Sequence, residues 1–148
     1  MEISPLVAFL AGNGVDAAGR SFHDIVAFDD AALEGRHDFI QWLFPLDEPS
    51  RAVTGSPVLD RDAICILQDS AVARERLRQA AARMLQFYRG TPAWRKTFDH
   101  NHLRITRIIR SLRLLCGDQD ADAFRDEILA LAGDAPIDAQ ARAFWDRA

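Results

Sequence analysis

A chain of 148 residues, 49% apolar and 27% charged, has the bulk for one hydrophobic core and too much apolar content to stay disordered. Its formal charge of −4 disfavours non-specific binding to nucleic acid. No apolar run approaches the ~18–20 residues that cross a bilayer, and Glu2 ahead of the short run Leu6 to Leu10 is unlike a basic, apolar leader.

Ser4-Pro5 reads as an N-cap and first helical residue, with Gly12 to Gly14 as the stop. Asp16 to Arg20 is a connection of small residues. Ser21 then caps a helix over Phe22 to Phe28, with Asp24 as the acid of a capping box. Asp29-Asp30 begins another turn through Leu33. From His37 to Pro45 the chain is dense in large apolar residues. On a helix, Phe39, Ile40, Trp42, Leu43 and Phe44 cover most of the circumference, leaving His37, Asp38 and Gln41 as a polar sector. Such a helix belongs in the middle of a domain, and Pro45 ends it.

The loop that follows, to about Pro57, is longer than the usual ~4–6 residue connection. It either packs as a surface flap or contributes to a site. Asp60 caps a helix containing Ile64, Cys65 and Leu67, and Asp69-Ser70 interrupts it or caps the next. That helix runs to about Tyr88 with the stripe Leu77, Ala80, Ala81, Met84 and Tyr88, and Gly90 ends it. Thr91-Pro92 starts another turn carrying Trp94.

Over Asn101 to Cys116, the residues Ile105, Ile108, Ile109, Leu112, Leu115 and Cys116 share one face. Arg104, Arg107, Arg110 and Arg113 fan across the other, with Leu103 and Leu114 projecting among them. Apolar residues on both sides predict a helix covered on both, with Arg107 and Arg110 partly buried. Asp120 or Asp122 caps a further helix with Phe124, Ile128, Leu129 and Leu131, stopped at Gly133. A last helix carries Phe144 and Trp145. No segment alternates as a strand would, and no repeat occurs. The expected architecture is all-α: a single domain over residues 1–148, an irregular bundle of seven or eight short helices around the aromatic-rich one.

Charge is unevenly placed. The first 69 residues carry 4 arginines against 12 carboxylates, residues 70–116 carry 11 cations against 2, and residues 117–148 carry 3 against 8. A basic middle between acidic ends implies either internal pairing or an exposed basic groove. Lys96 is the only lysine. This matches the codon bias of a GC-rich genome as well as a need for arginine's bidentate fork.

Enzyme signatures are absent: there is no Gly-rich phosphate loop, no Gly-x-Ser-x-Gly and no Cys-x-x-Cys. No catalytic residue, cofactor or metal site is assigned. His100 and His102 at a helix start point about 200° apart, with no third ligand nearby, which disfavours a metal. Cys65 and Cys116 sit among apolar neighbours, the setting of reduced, buried thiols in a cytoplasmic protein. The sharpest candidate site is an anion-binding cluster of Arg104, Arg107 and Arg110 with Asn101, joined by His37 and Gln41. Trp42, Trp94 and Trp145 read as core, but Trp94, beside Arg95 and Lys96, is the one that an exposed binding surface would use.

Two stretches, HDFIQWLFPLDEPS (His37 to Ser50) and NHLRITRIIRSLRLL (Asn101 to Leu115), flank MLQFYRG (Met84 to Gly90), and Leu33-Glu34 precedes the first. In order and spacing, from Leu6 to Ala148, they resemble the opioid growth factor receptor conserved region. Eukaryotic members of that family are described as nuclear or nuclear-membrane-associated receptors for the pentapeptide Met-enkephalin that act on cell proliferation. They are unrelated to seven-helix receptors. The sequence departs from them in having no tail, repeats or basic cluster after the domain, and in a shorter connection between Tyr88 and Trp94. In this it resembles the short microbial members.

The resemblance implies a receptor-like module that binds a peptide or protein segment in a groove between helices, beside the arginine fan. The alternative is a small enzyme or sensor that holds a phosphorylated or carboxylate ligand at the arginine cluster. Neither involves a transmembrane segment.

Overall fold

The computed structural model describes residues 4–148. Glu2, cited above against a leader, lies outside the described residues. Among these, regular structure is helical throughout, in nine helices rather than seven or eight, with one isolated antiparallel bridge between Val15 and Ser21. The chain divides into two compact units, Met1–Ala80 and Ala81–Ala148, each with its own core. No helix among the described residues is long and apolar enough to cross a membrane.

The first unit holds α1 (Pro5–Ala11), α2 (Phe22–Val26), α3 (Asp30–Gly35), α4 (Ile40–Leu43), α5 (Arg61–Asp69) and the first half of α6 (Ala71–Gly90). None of the first four exceeds two turns, so each persists only through tertiary contact. Helix α1 supplies that contact by packing on α4 and α5. Its Phe9 meets Phe22 and Trp42 edge-on at 6.2 and 5.6 Å, and Phe28 meets Phe39 in the same way at 5.7 Å. Ser21 and Asp24 form the expected capping box, and Asp29 and Asp60 cap α3 and α5.

The aromatic-rich stretch is central in burial but is barely a helix. Only Ile40–Leu43 is helical, and Phe39 and Phe44 flank it as buried, non-helical ends. Phe44 adopts φ −131, ψ 70, the shift away from helical geometry that the following proline imposes.

Between Ala11 and Phe22 the chain doubles back over the end of α1. The amide N–H groups of Gly12 and Gly14 both donate to the Ala8 carbonyl, at 3.0 and 2.9 Å. A Cβ on Gly14 would stand 2.7 Å from the carbonyl carbon and Cβ of Ala8 and 2.9 Å from the Phe9 nitrogen. Backbone cannot give way as a side-chain tip can. Gly14→Ala is therefore expected to destabilise the protein by about 1–3 kcal/mol, read as a lowered urea midpoint. An unchanged midpoint would show that this crossing is not tight.

The second unit holds the rest of α6, then α7 (His100–Leu115), α8 (Asp118–Ala132) and α9 (Ala139–Arg147), with α7 packed on α8 and α9. Helix α8 begins at Asp118 behind Gly117, whose φ of 108° suits glycine alone. The expected cap at Asp120 or Asp122 is displaced because the turn is made earlier. Residues 93–98 form turns and bends rather than the expected helical turn. Both cysteines are free, but Cys65 is exposed and Cys116 half-buried. The buried-thiol expectation fails because Cys65 lies on the outer face of α5, where Ala63 and Leu67 take the core positions.

Candidate functional site

Among the described residues, each unit presents a recess. In the first, the loop after α4 is pinned at its base by the Leu59 amide donating to the Leu46 carbonyl, with both leucines buried. The loop thus packs as a flap and also walls a pocket of about 380 Å³, together with Arg20, Asp38 and Trp42. The Arg20 guanidinium donates to Asp16 at 2.7 Å and to Asp38 at 3.1 Å and lies 5.5 Å from the Phe28 ring centre. Burial opposes its charge, but the bonds from Asp16 and Asp38 outweigh that and hold it above the ordinary arginine value. Arg20 is thus committed to two carboxylates, which together outweigh its charge by one.

The polar sector of the aromatic stretch is used locally. Gln41, 2% exposed, donates through Nε2 to the His37 carbonyl at 3.1 Å. His37 itself lies before the helical turn, which begins at Ile40, and it is the His37 backbone rather than the ring that Gln41 reaches. The Gln41 Oε1 is buried without a hydrogen-bond donor.

In the second unit, α7 is organised around its own N-terminus. The Asp99 carboxylate accepts from the Asn101 amide and from Asn101 Nδ2, both at 2.9 Å. Burial pushes the Asp99 carboxyl up, and these two bonds, with His100 and Lys96 nearby, bring it below the usual carboxylate range. Asn101 Oδ1 accepts from the Tyr88 hydroxyl at 3.2 Å and faces the Arg104 guanidinium at 3.5 Å. The Trp94 indole N–H donates to the Tyr88 carbonyl at 3.0 Å, and the Trp145 indole N–H donates to the His102 carbonyl at 3.1 Å. His102 Nε2 lies 2.7 Å from the Trp94 carbonyl oxygen. A carbonyl only accepts, so that nitrogen carries the proton.

Of the residues singled out from sequence, Asn101 and Arg104 come together, and Trp94 joins them through Tyr88. Asn101 and Trp94 have no accessible surface, and Arg104 is 6% exposed. Trp94 is therefore core, not binding surface. Its basic neighbours misled because a flanking charge does not stop an indole from finding a buried carbonyl. Arg107 and Arg110 are half-buried, as expected. His37 and Gln41 belong to the first unit and the arginines to the second. Internal pairing accounts for part of the basic middle. Arg113 donates to Asp118 and Asp122 at 2.8 Å each, and Arg89 to Glu127 at 2.9 Å.

Sequence reasoning missed the second recess. Phe98, Leu103 and Phe144 are 73%, 68% and 39% exposed and line one cleft of about 500 Å³ with Asp99, Asp138 and Gln140. The expectation that α7 is covered on both sides fails at Leu103. One wall comes from the start of α7 and the loop before it, the other from the start of α9. The Asp138 amide donates to the Thr97 carbonyl at 3.0 Å and fixes the two together. The legible signal was Phe98, a lone aromatic in the polar run Lys96-Thr97-Phe98-Asp99.

The family described as the opioid growth factor receptor (OGFr) conserved region matches residues 16–91. The opioid growth factor receptor of Homo sapiens is 39% identical over 98 residues, covering 54% of this chain and 14% of that protein. The Rattus norvegicus receptor is 38% identical, with 54% and 17% covered, and that of Mus musculus 37%, with 54% and 15%. The chain thus spans less than a fifth of the length of these curated relatives. No solved structure matches it.

Proposed function

Since this chain belongs to the opioid growth factor receptor conserved-region family, we propose that it is a receptor-like binding module that docks a peptide or protein segment in the cleft of Phe98, Leu103 and Phe144. One observation carries this reading: three large apolar side chains stand exposed around a single recess. Apolar residues scattered singly over a surface are ordinary. A contiguous apolar recess with a polar rim has the form of a recognition site. Arg107 and Arg110, half-buried, follow Leu103 by one and two turns of α7 and lie outside the lining of the cleft.

The family match ends at residue 91, before the cleft. The relatives' name speaks for binding and the geometry for where. The alternative, an enzyme or sensor holding a small anion at the arginine cluster, is the weaker reading. Arg104 is engaged with Asn101, and Arg113 with two carboxylates. Both thiols are free, which fits a reducing compartment such as the cytoplasm.

The test is selection of random displayed peptide segments on the protein, followed by affinity measurement on Leu103→Asp. A central apolar anchor contributes about 2–3 kcal/mol to an interface, so binders are expected to weaken by about 30- to 150-fold. The melting temperature should stay unchanged, because Leu103 lies mostly in solvent. A selection whose binders are all indifferent to Leu103 overturns the reading.

A further inference from the structure

We infer that the segment docked in this cleft carries a lysine or arginine side chain beside its apolar anchor, and that Asp138 receives it. This rests on the reading of the cleft as a docking site. Two carboxylates, Asp99 and Asp138, line the recess, and no lysine or arginine does. They differ in what they do. Asp99 is held by Asn101, with Lys96 at 3.6 Å, and its side chain is 5% exposed.

Asp138 stands at the N-cap of α9, where an aspartate ordinarily accepts from the first-turn amides, yet it makes no capping bond. Nor does its carboxylate pair with any other group among the described residues. Its backbone is fixed by the bond to Thr97, which ties this wall of the cleft to the one that carries Phe98. An uncommitted carboxylate beside exposed aromatic rings complements a cation carried next to an apolar side chain. An acidic segment would meet repulsion from both carboxylates.

The experiment extends the peptide selection to Asp138→Asn, which keeps the shape, and Asp138→Lys, which reverses the charge. Peptides selected on the unaltered protein are expected to pair lysine or arginine with an aromatic or aliphatic residue. They should weaken about tenfold on Asp138→Asn and weaken further in salt. On Asp138→Lys the selection should turn to acidic segments.

Binders that need Leu103 but show no excess of basic residues, or that ignore Asp138→Asn, overturn this inference and leave the docking site standing. Binders that all ignore Leu103 overturn both. Self-association of the protein that Leu103→Asp abolishes would make the occupant a second copy of the chain, and would overturn the basic-segment assignment.

Discussion

Trp94→Ala is expected to lower the free energy of unfolding by about 3–5 kcal/mol, a large part of the ~5–15 kcal/mol that a domain possesses. Three losses combine. The ring has no accessible surface, so its removal leaves a cavity where the Tyr88 ring now packs edge-on at 5.4 Å. The Tyr88 carbonyl, in the last turn of α6, loses the indole N–H that donates to it. Carbonyls in a final turn have no partner within their own helix, so this donor acts as a side-chain cap. The loop 91–99 also loses the anchor that holds the Trp94 carbonyl for His102. Urea unfolding should show a lower midpoint with an unchanged slope. Trp94→Phe should restore most of the packing but not the bond, with a remaining loss of about 1–2 kcal/mol. Were Trp94 part of an exposed binding surface, alanine would cost under about 0.5 kcal/mol. The two readings therefore differ by several-fold in one measurement.

What the sequence could and could not disclose follows from the range over which each cause acts. Helix existence was legible wherever the cause is local: Ser21 with Asp24, Asp60, and the apolar period from Ile105 to Leu115 all act within a few residues. The Asn101–Arg104 pairing was legible for the same reason, since i and i+3 share a helix face. Exposure was not, because it depends on which distant segment arrives. Leu103 looked like a residue with a cover, and only the placement of α9 and the loop before α7 shows it at the rim of a cleft. Tyr88 and Trp145 gave no sign of their links to Asn101 and His102, contacts 13 and 43 residues apart. Gly14 read as a helix stop, whereas its role is to let the chain cross the backbone of Ala8. The single-turn length of α4 lay between these cases: Pro45 announced the end, but density of aromatic residues concealed how little of the stretch is helical.

Asn101→Ala is expected to destabilise the protein by about 2–4 kcal/mol, through polar contacts rather than volume. The side chain has no accessible surface and bridges Asp99, Tyr88 and Arg104. Alanine keeps the backbone amide that donates to Asp99 and removes everything else. The Tyr88 hydroxyl and the Arg104 guanidinium lose an acceptor inside the unit, where replacement by water is obstructed. The pairwise share is separable by a cycle with Tyr88→Phe. That change alone should cost about 0.5–1.5 kcal/mol. In the Asn101→Ala background it should cost little more, a coupling of about 1 kcal/mol. An Asn101 that instead served a ligand would give small stability changes, additive single substitutions, and an effect confined to binding. Its burial argues for the first outcome. The polar start of α7 is then the scaffold that holds Leu103 and Phe98 outward, at the rim of the cleft proposed to dock a segment.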